Sequence, residues 1–131
     1  MQFHKDGNLP TDEDSIWVFG SNLAGIHGAG AAEVAFEKFS ASWAQGVGLS
    51  GRSYAIPTKD HNLKTLPLKD IGPYIREFVA FTRKYCDSKF FVTRVGCGLA
   101  GFRNETIAPL FKNCGDNCNM PIGWKKFLEE R

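Results

Sequence analysis

One segment constrains this chain more than any other: Ile16 to Phe39, read as IWVFGSNLAGIHGAGAAEVAFEKF. Its first four residues, Ile16–Phe19, are bulky, partly β-branched and uncharged, the make-up of a buried strand. They run directly into Gly20, Ser21 and Asn22. A loop with Gly25, Gly28 and Gly30 follows, and then an Ala-rich helix predicted from Gly28 to about Phe39. Strand, glycine loop and helix N-terminus together make an anion-binding device. Glycine lets backbone N–H groups approach a phosphate closely, and the helix end adds partial positive charge. A second such element, Val92–Phe102 (VTRVGCGLAGF), follows another apolar strand. Two glycine loops after two strands imply two walls of one site, fitted to a phosphate-bearing small molecule such as a nucleotide.

At 131 residues the chain is expected to form one domain over residues 1–131. An apolar fraction of 43% with eleven Phe is ample for one core. A net charge of +2, with Lys and Arg scattered, carries no nucleic-acid-binding signature. No apolar run approaches the ~20 residues of a membrane span, and the polar start MQFHKDGNLPTDEDS lacks a hydrophobic signal region. The expectation is a cytoplasmic protein with Cys86, Cys97, Cys114 and Cys118 as reduced thiols. Cys114 and Cys118 have zinc-like spacing, but no second pair accompanies them, so no metal is expected. Cys97, within the second loop, is either a small packing residue or a nucleophile in need of a base.

Residues 1–14 read as a loop or short edge strand. Ala31, Ala32, Val34, Ala35, Phe36 and Phe39 give the first helix its apolar side. Ala41–Arg52 is loop-like, and Ser53–Pro57 is a short strand whose ladder Pro57 is expected to end. Thr58–Leu68 reads as a surface loop. A helix starting at Asp70 or Gly72–Pro73 runs to about Tyr85, with Pro73 in its first turn. Lys89–Val95 is a strong strand, and Asn104 is a candidate N-cap for a helix from Glu105 to about Lys112. Asn119–Ile122 reads as an edge strand and Trp124–Glu130 as a short helix. The alternation of strand and helix implies a three-layer α/β/α architecture around a mostly parallel sheet. Ligands of such sheets sit beyond the carboxyl ends of the strands. Asn22, the Gly28 loop, Lys59 and the Gly96 loop all follow strands, so one rim collects them.

Gly25-Ile26-His27-Gly28-Ala29-Gly30 does not follow the order G-x-G-x-x-G of a dinucleotide fold. There is no G-x-x-x-x-G-K-[ST], which excludes an NTPase P-loop, and no G-x-S-x-G nucleophile elbow. The pattern instead resembles a macrodomain, the ADP-ribose-binding fold, in which a strand ends in Asn and a glycine-rich loop opens a helix several residues later. Asn22 followed by Gly28-Ala29-Gly30-Ala31 matches that spacing, and Gly98-Leu99-Ala100-Gly101-Phe102 matches a second family loop. Arg94-Val95-Gly96-Cys97-Gly98-Leu99 is similar to a run in the terminal ADP-ribose protein glycohydrolase branch, and Thr58-Lys59 falls where that branch has its catalytic Lys. The likeness spans roughly residues 16–112. It extends to small macro-like proteins of bacteria and their phages, from which no activity is carried over.

The resemblance implies that Asn22 contacts the distal ribose. It implies that Gly28, Ala29 and Gly30 give backbone N–H groups to the pyrophosphate and ribose side, that Gly98, Leu99, Ala100 and Gly101 wrap the diphosphate with Gly96 and Cys97 as further ligand-binding residues, and that Phe102 packs on the distal ribose. In the glycohydrolase branch the Lys attacks the ribose C1″ with help from an Asp; that position is Ala100 here. Asp60 and Glu105 are the candidate replacements. The family's adenine-holding acids lie before the first core strand, where Asp12 and Asp14 stand. Each residue also has a plainer reading. Asn22 caps a turn, Lys59 is a solvated lysine, Phe102 belongs to the core, and His27 is an exposed loop histidine, the favoured reading there. Trp17 and Trp43 read as core or subunit-contact residues. The leading expectation is hydrolysis of an ADP-ribosyl linkage or a related NAD-derived metabolite, with Lys59 and Asn22 as catalytic candidates and no cofactor. The alternative is a non-catalytic reader or sequestering protein for ADP-ribose or an ADP-ribosylated macromolecule. A third is an interaction module that keeps the fold without the ligand.

Overall fold

A computed structural model describes residues 1–129. Six strands form one sheet: β1 (Gln2–His4), β2 (Ile16–Asn22), β3 (Gly48–Ser50), β4 (Ser53–Lys59), β5 (Phe90–Val92) and β6 (Cys118–Pro121). Their spatial order is β1-β6-β5-β2-β4-β3. Every pairing is parallel except that of β3 with β4. The helices are α1 (Gly30–Lys38), α2 (Leu68–Lys84), α3 (Asn104–Ile107) and α4 (Lys125–Leu128), with 3-10 turns at Ala108–Phe111 and Ile122–Trp124.

Strand side chains alternate between faces, and here both faces are covered. Trp17, Phe19, Ala55 and Phe91 meet Ala32, Ala35 and Phe39 on the α1 side. Val18, Tyr54, Ile56, Phe90 and Val92 meet Ile71, Ile75 and Phe78 of α2, together with Ile107, Phe111 and Trp124. Burial on both sides is why Ile16–Phe19 reads as an unbroken apolar run rather than an alternating one. The sheet thus has the expected α/β/α layering, with α1 on one face and the remaining helices on the other.

Several boundaries differ from expectation. The chain enters α1 at Gly30, and Ala29 stays extended at φ −154° and ψ 157°. Pro57 does not end its strand: β4 continues to Lys59. β3 pairs only with Ser53–Ala55, so Pro57 lies where β4 has one open edge, a place where strands tolerate proline. Helix α2 begins at Leu68, because Asp70 and Ile71 donate back to the Pro67 carbonyl; Pro73 therefore sits inside the helix rather than in its first turn. β5 stops at Val92, where the Thr93 backbone N–H and hydroxyl both donate to the Val18 carbonyl. β6 is an interior strand, flanked by β1, and β1 is the edge. The predicted loop 41–52 contains β3. Asn104 does not cap α3 with its side chain; Arg103 holds the cap position and makes no side-chain cap bond. The final helix ends at Leu128 in the described chain, and Glu130 of the predicted Trp124–Glu130 helix lies outside the described residues.

Gly46 is the tightest close approach. A Cβ there would be driven into the Asn22 carbonyl oxygen. Gly46→Ala is expected to lower stability by roughly 1–3 kcal/mol through overpacking against rigid backbone. Ile75→Ala, at a fully buried position between α2 and the sheet, is expected to cost about 2–5 kcal/mol. Urea unfolding of both variants beside the wild type checks these values.

Candidate functional site

The carboxyl ends of β2, β4 and β5 open onto one cleft of about 700 Å³. Its centre is built from the two glycine loops. Gly28, Ala29, Gly30, Ala31 and Ala32 form one wall, and Gly96, Gly98, Leu99 and Ala100 face them. No side chain caps the α1 N-terminus, so the first-turn N–H groups of a nine-residue helix are left for a ligand.

What holds the first loop in place is the Asn22 carboxamide. Its Nδ2 donates to the Ile26 carbonyl at 2.8 Å, and its Oδ1 accepts from the Ile26 N–H at 3.0 Å. Asn22 thus closes the loop on one residue, Ile26, as its turn-capping reading has it, and it also borders the cleft. The loop is braced from behind by residues 42–46. Ala44 N–H donates to the Gly25 carbonyl at 2.9 Å, the Ser21 hydroxyl donates to the Gly46 carbonyl, and His27 Nε2 meets the Ser42 carbonyl at 2.9 Å. Gly25, at φ +70°, packs directly against Ala44, a conformation and a closeness that only glycine accepts without strain.

His27 corrects a favoured expectation. It is 1% exposed rather than a surface loop residue, lying edge-on to Phe19 and Trp43. The apolar floor beneath the loop draws it in, with its Nε2 satisfied by Ser42. Trp17 is buried, stacks on Phe39 and Phe91 and also borders the cleft. Trp43 is largely exposed and meets His27 and Phe36 edge-on.

Lys59, the last residue of β4, reaches the cleft beside Thr58. Neither candidate acid joins it. The Asp60 carboxylate turns back to accept the Asn62 and Lys64 N–H groups at 2.8 and 3.0 Å. Those backbone bonds, that of Lys64 foremost, hold it below the usual carboxylate range. Glu105 lies 3.9 Å from Arg103 and lines a different groove. Cys97, Gly101 and Phe102 also lie outside the cleft lining. Cys97 and Phe102 pack against the α2-side core, and burial pushes the Cys97 thiol up, away from a reactive thiolate. Cys114 and Cys118 are buried free thiols. The hydrogen bond that the Cys114 thiol donates to Cys118, and then burial, push Cys114 up. No group of three metal-ligating side chains occurs among the described residues, and no helix among them is long and apolar enough to cross a membrane.

Sequence reasoning missed one end of the cleft. His4, Asp6, Gly7, Asn8 and Leu9 line it, with Thr93 and Arg94. The His4 ring lies flat on Phe91, centroids 3.8 Å apart, and its Nε2 meets the Val92 carbonyl at 2.8 Å. Asp6 is the one carboxylate on the cleft wall among the described residues. Asp12 is spent on the turn into β2, accepting from the Asp14 and Ser15 N–H groups and the Ser15 hydroxyl, and these bonds, with the Ser15 N–H first, hold it below its ordinary value. The parallel pairing of β1 with β6 carries the N-terminal segment to the rim, a long-range pairing that no local pattern announces.

No protein-family model and no curated protein sequence matches the chain. Among solved structures, the chain is similar to DarTG of Thermosipho africanus in complex with ADP-ribose, with a TM-score of 0.59 and 17% identity. The match covers 82% of this chain and 38% of that one, so this chain spans well under half of its neighbour's length. At this identity the likeness is one of fold. Together with the parallel sheet and its two helical layers, it gives this chain a macrodomain-like α/β/α fold.

Proposed function

We propose that the cleft binds ADP-ribose, free or as the terminal group of a modified macromolecule. The observation that carries this reading is the pair of glycine loops facing each other across one cleft, one of them opening an uncapped helix. Backbone N–H groups of Gly28–Ala32 and of Gly98–Ala100 suit a diphosphate, whose charge the α1 N-terminus favours. The flat apolar slot of His4, Phe91 and Trp17 suits a base, and the Asp6 carboxylate suits a purine exocyclic amine. Thr58 and Lys59 stand at the far end, where a distal ribose fits. The neighbour's complex with ADP-ribose supports the same ligand.

Binding without turnover fits the residues better than hydrolysis. A lysine attacks C1″ only as the free amine and so needs a base or a lowered pKa. The carboxylate on the cleft wall is Asp6, which follows β1, and three strands separate β1 from β4. Asp60 and Glu105 are engaged elsewhere. Hydrolysis remains the second reading on one observation, the presence of Lys59 on the cleft wall.

Calorimetry with ADP-ribose is expected to give a one-site isotherm, and the ligand is expected to raise the melting temperature by mass action. Gly28→Glu is the matched control. A Cβ at Gly28 meets open space, so the variant is expected to fold while its carboxylate occupies the phosphate site and abolishes binding. A silent titration at millimolar ADP-ribose would overturn the reading.

Lys59→Ala is expected to keep ADP-ribose affinity within about tenfold, ~1.4 kcal/mol. Wild-type protein is expected to release no ADP-ribose from ADP-ribosylated protein or nucleic acid. Release by the wild type that disappears in Lys59→Ala, with a borohydride-trapped adduct on Lys59, would select hydrolysis instead.

A further inference from the structure

The cleft does not account for the cations beside it. Behind the second glycine loop lies an open groove of about 470 Å³. Its walls carry Arg94, Arg103 and Lys126 against one carboxylate, Glu105, over the rings of Phe102 and Phe127. Glu105 and Arg103 stand 3.9 Å apart with both side chains mostly exposed, so this pair neutralises little.

Arg94 borders the groove and the cleft alike, and its posture is fixed from below. Trp124, fully buried, donates its Nε1–H to Asn104 Oδ1 at 3.0 Å. The same oxygen accepts from Arg94 Nε at 3.1 Å. Arg94 Nη1 makes a long 3.5 Å contact to Asp6, and Nη2 has no hydrogen-bond partner among the described residues. A guanidinium held at its inner nitrogen and open at its tip presents a planar fork suited to a phosphoryl group.

Resting on the ADP-ribose reading of the cleft, we propose that this groove binds a second phosphoryl group carried on the adenosine half of the ligand. Strand order supplies the direction. Arg94 follows β5 and Asp6 follows β1, both toward the base end, whereas Lys59 closes β4 at the other. A base lying against His4 and Phe91 brings the adenosine ribose beside Arg94, and a substituent on its 2′ oxygen leads out of the cleft toward Arg103 and Lys126. A plain hydroxyl there has no use for three cations, and a phosphoryl group does. Two ligands carry that chemistry. One is ADP-ribose with a 2′-phosphate; the other is a 2′-linked ADP-ribose polymer, whose next diphosphate enters the groove.

The test is calorimetry of the full chain with ADP-ribose, 2′-phospho-ADP-ribose and an ADP-ribose dimer, at low and high salt. At least one extended ligand is expected to bind about tenfold more tightly than ADP-ribose, through charge-assisted contacts, and the gain is expected to shrink as salt screens it. Which ligand shows the gain identifies the source of the phosphoryl group. Combining Arg103→Ala with Lys126→Ala is expected to erase the gain and leave ADP-ribose affinity unchanged, since both residues lie outside the cleft and are exposed. Equal or weaker binding of both extended ligands, or a gain that survives in the double variant, overturns the groove and leaves the cleft reading standing. Failure of all three ligands to bind removes both.

Discussion

The closure of Asn22 on Ile26 is the constraint from which the cleft follows. One carboxamide satisfies both the N–H and the carbonyl of a single residue four positions on. A loop of this kind has no regular ladder of its own, so each buried backbone group needs a named partner. Asn22 supplies two and the Ala44 N–H a third, on the Gly25 carbonyl, while the Gly46 and Ser42 carbonyls hold the Ser21 and His27 side chains. Gly28, Ala29 and Gly30 are thereby presented to the cleft by a loop with little freedom left. Preorganisation of this kind reduces the ordering cost that a ligand would otherwise meet.

The sheet sets the second condition. Its parallel strands all deliver their carboxyl ends to one rim, and crossover helices leave that rim free. The second glycine loop then bridges from β5 toward the turn after β4, where the Thr65 hydroxyl donates to the Ala100 carbonyl. Lys59 is drawn to the same rim by its strand rather than by any interaction of its side chain. Position alone does not make it a nucleophile, and neither Asp60 nor Glu105 stands beside it as a base.

Local chemistry made much of this legible beforehand. The runs Ile16–Phe19 and Lys89–Val95 announce strands because both sheet faces are buried, although the second stops at Val92, and the glycine loops announce themselves by composition. The α/β/α layering follows from the alternation of elements. What escaped has a common cause in long-range pairing. β1 finds β6 across almost the whole chain, so His4 and Asp6 gave no sign of their place at the cleft. His27 was misjudged because its burial depends on Phe19 and Trp43 rather than on its polar-looking neighbours. Asn104 looks like a cap, yet its oxygen is taken by Arg94 and Trp124. Asp60 stood next to Lys59 in sequence, but its own turn claims it.

The outer strands of the sheet have a consequence of their own. β1 and β3, at the two edges, are each three residues long, whereas β2 and β4 run seven. An exposed edge is a template on which a foreign strand can pair, and its hazard grows with length and flatness. Three residues offer too short a register to recruit a neighbour, well under the six or seven of a self-associating segment. The shortness of the outer strands therefore guards the molecule against edge-to-edge stacking.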